Sequence, residues 1–394
     1  MGFPRSSRDE RLAARLETLQ NSSGNPADAT PGVLQNVRRR GRVHPNSLRL
    51  SAVAGLLLGG VLLASVVSAA DGDEPGESQS ADCAKLASDP DSSVGDILRA
   101  GCKPSTAQMS ALMDNPVGNV AMWWNQVDYL GVENPRFNKS DHKTNYMGII
   151  QWPQALTSNW NLISRVVYNV TRSPIDDDKI DDFGAAPGAL LPPADFGRSP
   201  VDVFGGSTTG FGDSYYIGLV SPKQPVKLGT GNLVWGLGFD AGFPTASDDV
   251  LGTEKYTAGP SALAVYLGQK WKLGFLGQQY WSYAGDGDRS DVNMTNLQYI
   301  YYYALTPTIN IGAAPNIIAN WEQQGDDRFS VPIGLGINTT VNIGKVPVRF
   351  GLELHKFVIK PDDVPGSDYA VRFFIIPAVP SALFEWMEKP LFGD

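Results

Sequence analysis

Between Thr308 and Val358 the residues fall into two sets that alternate one by one. Ile309, Ile311, Ala313, Ile317, Ala319 and Trp321 share one parity, and Thr308, Asn310, Gly312, Asn316, Ile318 and Asn320 share the other. The next run sets Phe329, Val331, Ile333, Leu335 and Ile337 against Arg328, Ser330, Pro332, Gly334, Gly336 and Asn338. A third sets Val348, Phe350, Leu352 and Leu354 against Arg349, Gly351, Glu353 and His355. Successive side chains of a strand point to opposite faces, so each run is a strand with one apolar face and one polar or very small face. A soluble sandwich alternates too, but its solvent face is usually rich in Lys, Glu and Thr. Here that face carries Gly, Asn, Arg and Glu, over runs of about ten residues or more, the length that crosses a bilayer as part of a closed barrel. The expected fold is all-β, a transmembrane antiparallel up-and-down β-barrel of about twelve strands.

Further strand-like runs are predicted at 118–130, 143–153, 160–170, 212–222, 233–244, 257–267, 271–284, 294–304 and 369–380. The first is the weakest, because Met122, Trp123 and Trp124 are apolar without alternation. The connections sort by length. Those at 132–142, 171–211, 245–256, 285–293 and 359–368 are long, while 268–270 and 305–307 are short. Stretches 223–232 and 322–327 blur that rule without reversing it. Alternating long and short connections suit a meander with elaborate loops on one rim and tight turns on the other.

A chain of 394 residues has room for two or three soluble domains, but the β-pattern runs almost unbroken from about 118 to 380. The formal net charge of −9 leaves no basic stripe to offset phosphate repulsion, so nucleic acid is not an expected partner. Gly 42, Trp 9 and Tyr 14 suit tight turns and interfacial aromatic belts, and Trp235, Tyr266, Trp271, Trp281, Tyr299, Tyr301, Tyr303 and Trp321 fall near strand ends or on outward positions.

The N-terminal region reads as an export signal. Arg49 precedes an apolar run from Leu50 that ends in small residues, Val67-Ser68-Ala69-Ala70, before acidic Asp71. An uncleaved anchor is the alternative reading of the same run. Residues 1–42 are polar and Arg-rich, too long for a usual charged region, which is consistent with translation starting near Val43. The expected organisation is an extension and signal at 1–70, a helical periplasmic segment at 71–117, the barrel at 118–384 and a tail at 385–394. Helical spacing appears at Val94, Ile97 and Leu98 and again at Met109, Leu112 and Met113, with Ser105 and Gln108 placed as a capping box. Cys83 and Cys102, an even pair in an exported chain, are expected to form a disulfide, with two free thiols as the alternative.

Inward parity collects Arg165, Asp240, Lys272, Gln278, Asn310, Asn316, Asn320, Arg328, Arg349, Glu353, His355 and Arg372. They either line an aqueous passage or pair with one another across a filled lumen, since unpaired buried charge is costly. The long loops are acidic. The run from Asp286 to Asp291 lacks the closing bidentate Glu of a calcium loop. No metal-ligand cluster or phosphate loop is present, and no cofactor is expected. Catalysis is not expected either. His44 precedes the cleavage point, His142 reads as a loop residue, His355 faces inward, and Gly212-Asp213-Ser214 opens a strand rather than a strand-to-helix turn.

Several blocks resemble one known family. They are Asn115-Pro-Val-Gly-Asn119, Asn159-Trp-Asn-Leu-Ile-Ser-Arg165, Gly212-Asp with Tyr216-Ile-Gly-Leu-Val-Ser-Pro222, Lys270-Trp271, the stretch from Trp281 to Asn293, Ile318 with Ala319-Asn-Trp321, Asp327-Arg328, and Val331-Pro with Gly334. They are similar to the bacterial outer-membrane barrels of the meta-cleavage-pathway phenol-degradation type, whose members also carry the labels transporter and neuromedin U. The resemblance covers roughly 110–380. It implies a barrel in a Gram-negative outer membrane admitting small aromatic or other hydrophobic compounds, with no catalytic residues to carry over. The cysteine pair, the long 171–211 loop and the tail beyond Phe384 depart from the family pattern, and Phe392 is the candidate terminal aromatic. The expected role is passage or uptake of small solutes, with a closed structural or adhesive barrel as the alternative. The expected partners are outer-membrane lipid, a small-molecule solute and the barrel-assembly machinery.

Overall fold

A computed structural model of the protein describes residues 83, 102, 105–118, 120–175, 204–344, 346–362, 364–379 and 389–392. The expected signal, the extension before it, the helical spacing at 94–98, the acidic part of the 171–211 loop and Phe384 all lie outside the described residues. Cys83 and Cys102 are joined as a disulfide.

The first described element is α1 (Thr106–Met113). Ser105 caps it: its hydroxyl accepts from the Gln108 backbone N–H, and the Gln108 side chain accepts from the Ser105 N–H. That reciprocal pair satisfies two of the donors a helix start leaves open. Fifteen strand segments follow: β1 (Met122–Asn134), β2 (Lys139–Ala155), β3 (Trp160–Ile175), β4 (Phe204–Phe211), β5 (Ser214–Pro222), β6 (Val226–Leu228), β7 (Gly231–Phe243), β8 (Lys255–Leu267), β9 (Trp271–Gly285), β10 (Asn293–Ala304), β11 (Ile309–Ala313), β12 (Asn316–Asn320), β13 (Phe329–Ile343), β14 (Val346–Ile359) and β15 (Gly366–Pro377).

Pairing groups these segments into twelve staves. β4, β5 and β6 succeed one another along one stave between β3 and β7, and β11 and β12 share another between β10 and β13. Every pairing is antiparallel, β9 bonds β10, and β1 bonds β15 with Asn125 opposite Ile375. The sheet therefore closes on itself and leaves no edge. Closure is what lets strands stand in hydrocarbon, where an unpaired N–H or C=O has no water to bond.

Strand boundaries differ from the sequence reading at the rims. The connection expected at 132–142 shrinks to a single turn, because β1 continues to Asn134, β2 starts at Lys139, and Pro135–Phe137 forms one 3-10 turn between them. The run expected as one strand from Thr308 to Trp321 breaks at Ala314 and Pro315. Pro315 has no N–H to give the ladder. Gly312, at φ +146, holds a backbone angle that side-chain-bearing residues rarely take, and a Cβ there would lie 2.0 Å from the Tyr301 carbonyl oxygen. The remaining connections keep their sides. The longer ones, including 244–254, 286–292 and 321–328, fall on one rim, and the shorter ones at 156–159, 268–270 and 305–308 fall on the other.

The two faces are chemically distinct. Leu237, Phe239, Leu273, Phe275, Ile333, Leu335, Ile337, Leu352 and Leu354 stand on the outside, with Leu335 59% and Leu354 58% exposed. Trp271, Trp281 and Trp321 are also exposed on that side. The inside holds Gln126, Asp128, Asn145, Gln151, Asp240, Lys272, Gln278, Asn310, Asn338, Arg349, Glu353 and His355, all buried. It also holds an apolar sector: Ile163, Val167, Tyr215, Ile217, Leu263, Val265, Leu276 and Tyr280. No helix among the described residues is long and apolar enough to cross a membrane, so the crossing falls to the strands.

Candidate functional site

Inward side chains surround a cavity of about 330 Å³. Its walls combine apolar residues such as Met147, Ile149, Val167, Ile217 and Leu276 with a polar belt from β1, β14 and β15. In that belt Arg372 Nε donates to Asp128 Oδ1 at 2.8 Å, and Gln126 Nε2 donates to Asp128 Oδ2 at 2.7 Å. Arg372 also donates from Nη1 to the Ala314 carbonyl at 3.0 Å, which ties the break between β11 and β12 to β15. Glu353 collects four neighbours, among them the Ala314 N–H, which donates to Oε2 at 3.4 Å. Tyr302 donates its hydroxyl to Oε1, His355 Nε2 lies 2.9 Å from Oε2, and Arg372 Nη1 lies 4.0 Å from Oε2. Each charge in the belt thus has an opposite charge or a hydrogen bond facing it, as burial demands.

The end of the lumen beside the short turns is crossed by residues 105–118. Asp114 sits between Lys272 of β9 and Arg349 of β14, with Arg349 Nη2 at 2.8 Å, and all three side chains are nearly enclosed. Lys272 also donates to Asn310 at 2.6 Å, and Asn310 donates to Asn338 at 2.9 Å. Arg349 further reaches the Ser110 and Met113 carbonyls, at 2.8 and 3.2 Å, and Thr340 Oγ1 at 3.2 Å. Across the barrel, Arg165 Nη2 donates to the Pro116 carbonyl at 3.0 Å, and Val117 packs into the apolar sector. Met113 rests with Met122, Phe374 and Ile376. The segment is pinned at both walls by ion pairs, backbone carbonyls and apolar contact together.

The structure brings most of the sequence-nominated residues to the inner face. Arg349, Lys272 and Asn310 meet at the segment just described, while Glu353, His355 and Arg372 meet in the belt. Arg165 lies on β3 and Asn316 on β12, where Asn316 Nδ2 donates to Asn296 at 2.9 Å. Asp240 lies on β7, accepts from Ser261 at 2.7 Å and is fully buried. Arg328 is placed differently. It closes a 3-10 turn (Gly325–Arg328) on the rim, its guanidinium 5.3 Å from the Trp321 ring centroid, because the strand it was assigned to begins only at Phe329. Sequence reading missed Asp114, Gln126, Asp128 and Tyr302. The parity of Trp124, Gln126, Asp128 and Leu130 was available as a signal, but the paired tryptophans at 123 and 124 masked it.

Loop chemistry on the rim is structural. Arg289 donates to the Asp249 and Gly252 carbonyls at 2.9 and 2.6 Å and lies 3.8 Å from Glu254. Burial, followed by the hydrogen bond with Asp249, pushes the Glu254 carboxyl up to about 7, and Arg289 opposes the shift. Asp213, next to Ser214, accepts from Thr253 N and Oγ1, both at 2.8 Å, so the Gly212-Asp213-Ser214 stretch joins two strands. Among the described residues no group of His, Cys, Asp and Glu is arranged to hold a metal ion.

A closed, edge-free barrel of twelve membrane-length staves, apolar outside and polar inside, is an outer-membrane β-barrel, and the bacterial outer membrane is where this protein resides. No protein-family model matches the chain, and no curated protein matches it. Among solved structures, an outer membrane channel from Pseudomonas putida F1 is similar at 15% identity, over 67% of this chain and 96% of that one, with a TM-score of 0.48. A FadL homologue from Pseudomonas aeruginosa matches at 9% identity over 68% and 93%, with a TM-score of 0.31. Outer membrane phospholipase A from Escherichia coli matches at 9% identity over 69% and 98%, with a TM-score of 0.36. The last match corrects the expectation that the chain is not an enzyme: an enzyme stands among the matched structures. The premise changes as well. His142 belongs to β2, not a loop, and its ring stacks on Tyr129 at 4.9 Å and lies 3.0 Å from the Tyr369 hydroxyl.

Proposed function

We propose that the protein passes small molecules across the outer membrane through its lumen, and that residues 105–118 act as a plug at the periplasmic end. The observation that carries this reading is the cavity itself. It is lined by a paired polar belt and an apolar sector, in a lumen that a segment anchored through Asp114 crosses beside the short turns. A barrel built only for rigidity gains nothing from keeping about 330 Å³ unfilled, because packing would stabilise it. The mixed wall, with Trp124, Tyr215 and Phe357 beside Gln126 and Asn145, suits small aromatic or other hydrophobic solutes, as does the family resemblance in the sequence. Membrane lipid covers the outer face in this reading, and the barrel-assembly machinery inserts the chain.

A closed structural barrel is the second reading, and the two cations on Asp114 favour it, because they hold the plug in place. Planar-bilayer conductance and liposome swelling with phenolic and sugar solutes separate the two. The passage reading expects small or intermittent currents from the intact chain and larger ones after deletion of residues 105–118. A folded deletion variant that stays electrically silent and swells no liposomes refutes it.

A further inference from the structure

The lining of the cavity holds three N–H donors that have no acceptor. Trp124 Nε1, Gln151 Nε2 and Arg165 Nε are buried and make no hydrogen bond, and all three residues line the cavity. They form one patch. Gln151 on β2 stands directly opposite Arg165 on β3 and Met122 on β1, and Trp124 follows Met122 on the same inward face. Gln151 is thus the common neighbour, its side chain starting about 5 Å from that of Arg165 and about 7–8 Å from that of Trp124.

The charge balance of the lumen singles out the same place. Arg349 has Asp114 and Arg372 has Asp128, but no carboxylate among the described residues pairs with Arg165. Its one bond, from Nη2 to the Pro116 carbonyl, leaves the positive charge uncompensated and Nε without an acceptor. Guanidinium and indole groups donate only, so the unmet demand is for an acceptor, and a negative one. A carboxylate offers about four lone-pair sites and is the planar partner a guanidinium binds best. Around this patch the wall is greasy: Met147, Ile149, Val167, Ile217 and Leu276.

We propose that Trp124, Gln151 and Arg165 form a binding subsite for the carboxylate of a small amphipathic organic acid whose hydrocarbon or aromatic body lies on those apolar residues. Inorganic anions satisfy the donors but not the wall, and neutral alcohols satisfy the wall but not the charge. The subsite also explains why these three donors are left open while Arg349 and Arg372 are each met by a carboxylate. It rests on the reading that solutes enter the lumen.

The test is calorimetric titration of the full chain in lipid nanodiscs, with empty nanodiscs as blank. The probes are 3-phenylpropionate, 3-phenylpropan-1-ol and inorganic phosphate. Hydrogen bonds to charged groups predict that the acid binds roughly tenfold or more tightly than the alcohol, and burial of its apolar body predicts at least roughly tenfold tighter binding than phosphate. Arg165→Met should remove that preference while leaving alcohol binding unchanged, and Arg165→Lys should restore part of it. Gln151→Leu and Trp124→Phe should each weaken acid binding severalfold, and they serve if Arg165→Met does not fold by circular dichroism. Equal binding of acid and alcohol, phosphate binding as tight as the acid, or a folded Arg165→Met variant that keeps the preference overturns the proposal. Liposome swelling is read separately. Acid binding without solute passage overturns the passage reading alone, and passage with no acid preference overturns the subsite alone.

Discussion

Asp114→Ala tests how the plug is held. Asp114 is the only carboxylate described between Lys272 and Arg349, and the three side chains are 8%, 11% and 9% exposed. Removing one partner of a buried ion pair costs about 3–5 kcal/mol, because the remaining charge stays desolvated. Here the residual charges keep other bonds: Lys272 retains Asn310, and Arg349 retains Ser110, Met113 and Thr340. That support brings the expected loss down to about 2 kcal/mol, near the value of a charged hydrogen bond. At about 1.4 kcal/mol per factor of ten, local opening of residues 105–118 becomes roughly thirtyfold more frequent. The assay is amide hydrogen exchange in detergent or nanodiscs, followed peptide by peptide. Protection should fall across 109–117 and stay unchanged in β13 and β14. Exchange in 109–117 within threefold of the unmodified protein, or an equal rise along every barrel strand, refutes the assignment of Asp114 as the plug's anchor.

Leu335→Arg, placed on the outer face of β13, should destabilise the barrel by about 2–4 kcal/mol in lipid, read from denaturant unfolding in vesicles; no loss means hydrocarbon does not cover that face. Ser105→Ala removes the helix cap and should cost about 1 kcal/mol, visible as faster exchange in the first turn of α1 alone. The Glu254 carboxyl, raised to about 7, favours its protonated form in the folded rim. Its stabilising contribution is therefore complete below the ordinary carboxylate range and fades as pH rises through about 7. Exchange protection of 244–254 should fall between about pH 4.5 and 7 in the intact protein and become flat in Glu254→Gln. Gly312→Ala should slow refolding or lower stability, measured by vesicle unfolding, because the new Cβ meets the Tyr301 carbonyl.

Much of the barrel was legible because a strand that separates lipid from lumen writes its environment into every second residue. Trp271 and Lys272 are neighbours in sequence and opposites in surroundings, the first exposed and the second enclosed. Parity says which side a residue takes but not whom it meets there. The pairing of Asp114 with Lys272 and Arg349 spans more than a hundred residues, and no local pattern encodes it. Alternation continues in sequence past the true start of β13 into a turn, so parity points Arg328 inward while its guanidinium lies over Trp321 on the rim. Polar residues dominate 139–145, so the sequence alone suggests a loop around His142. They are strand residues above the apolar band, where a barrel wall continues into water and its outer face no longer needs to be greasy.

The seam between β1 and β15 sets a condition on biogenesis. Asn125 faces Ile375, and its amide reaches the Ile375 carbonyl across 250 positions of sequence. A nascent chain stopped anywhere before Gly366 presents two raw strand margins to the acyl chains, each a row of amides with nothing to bond. Insertion must therefore wait for the last stave, and a truncation that spares every lumenal residue but removes β15 should yield debris for proteases instead of a smaller pore.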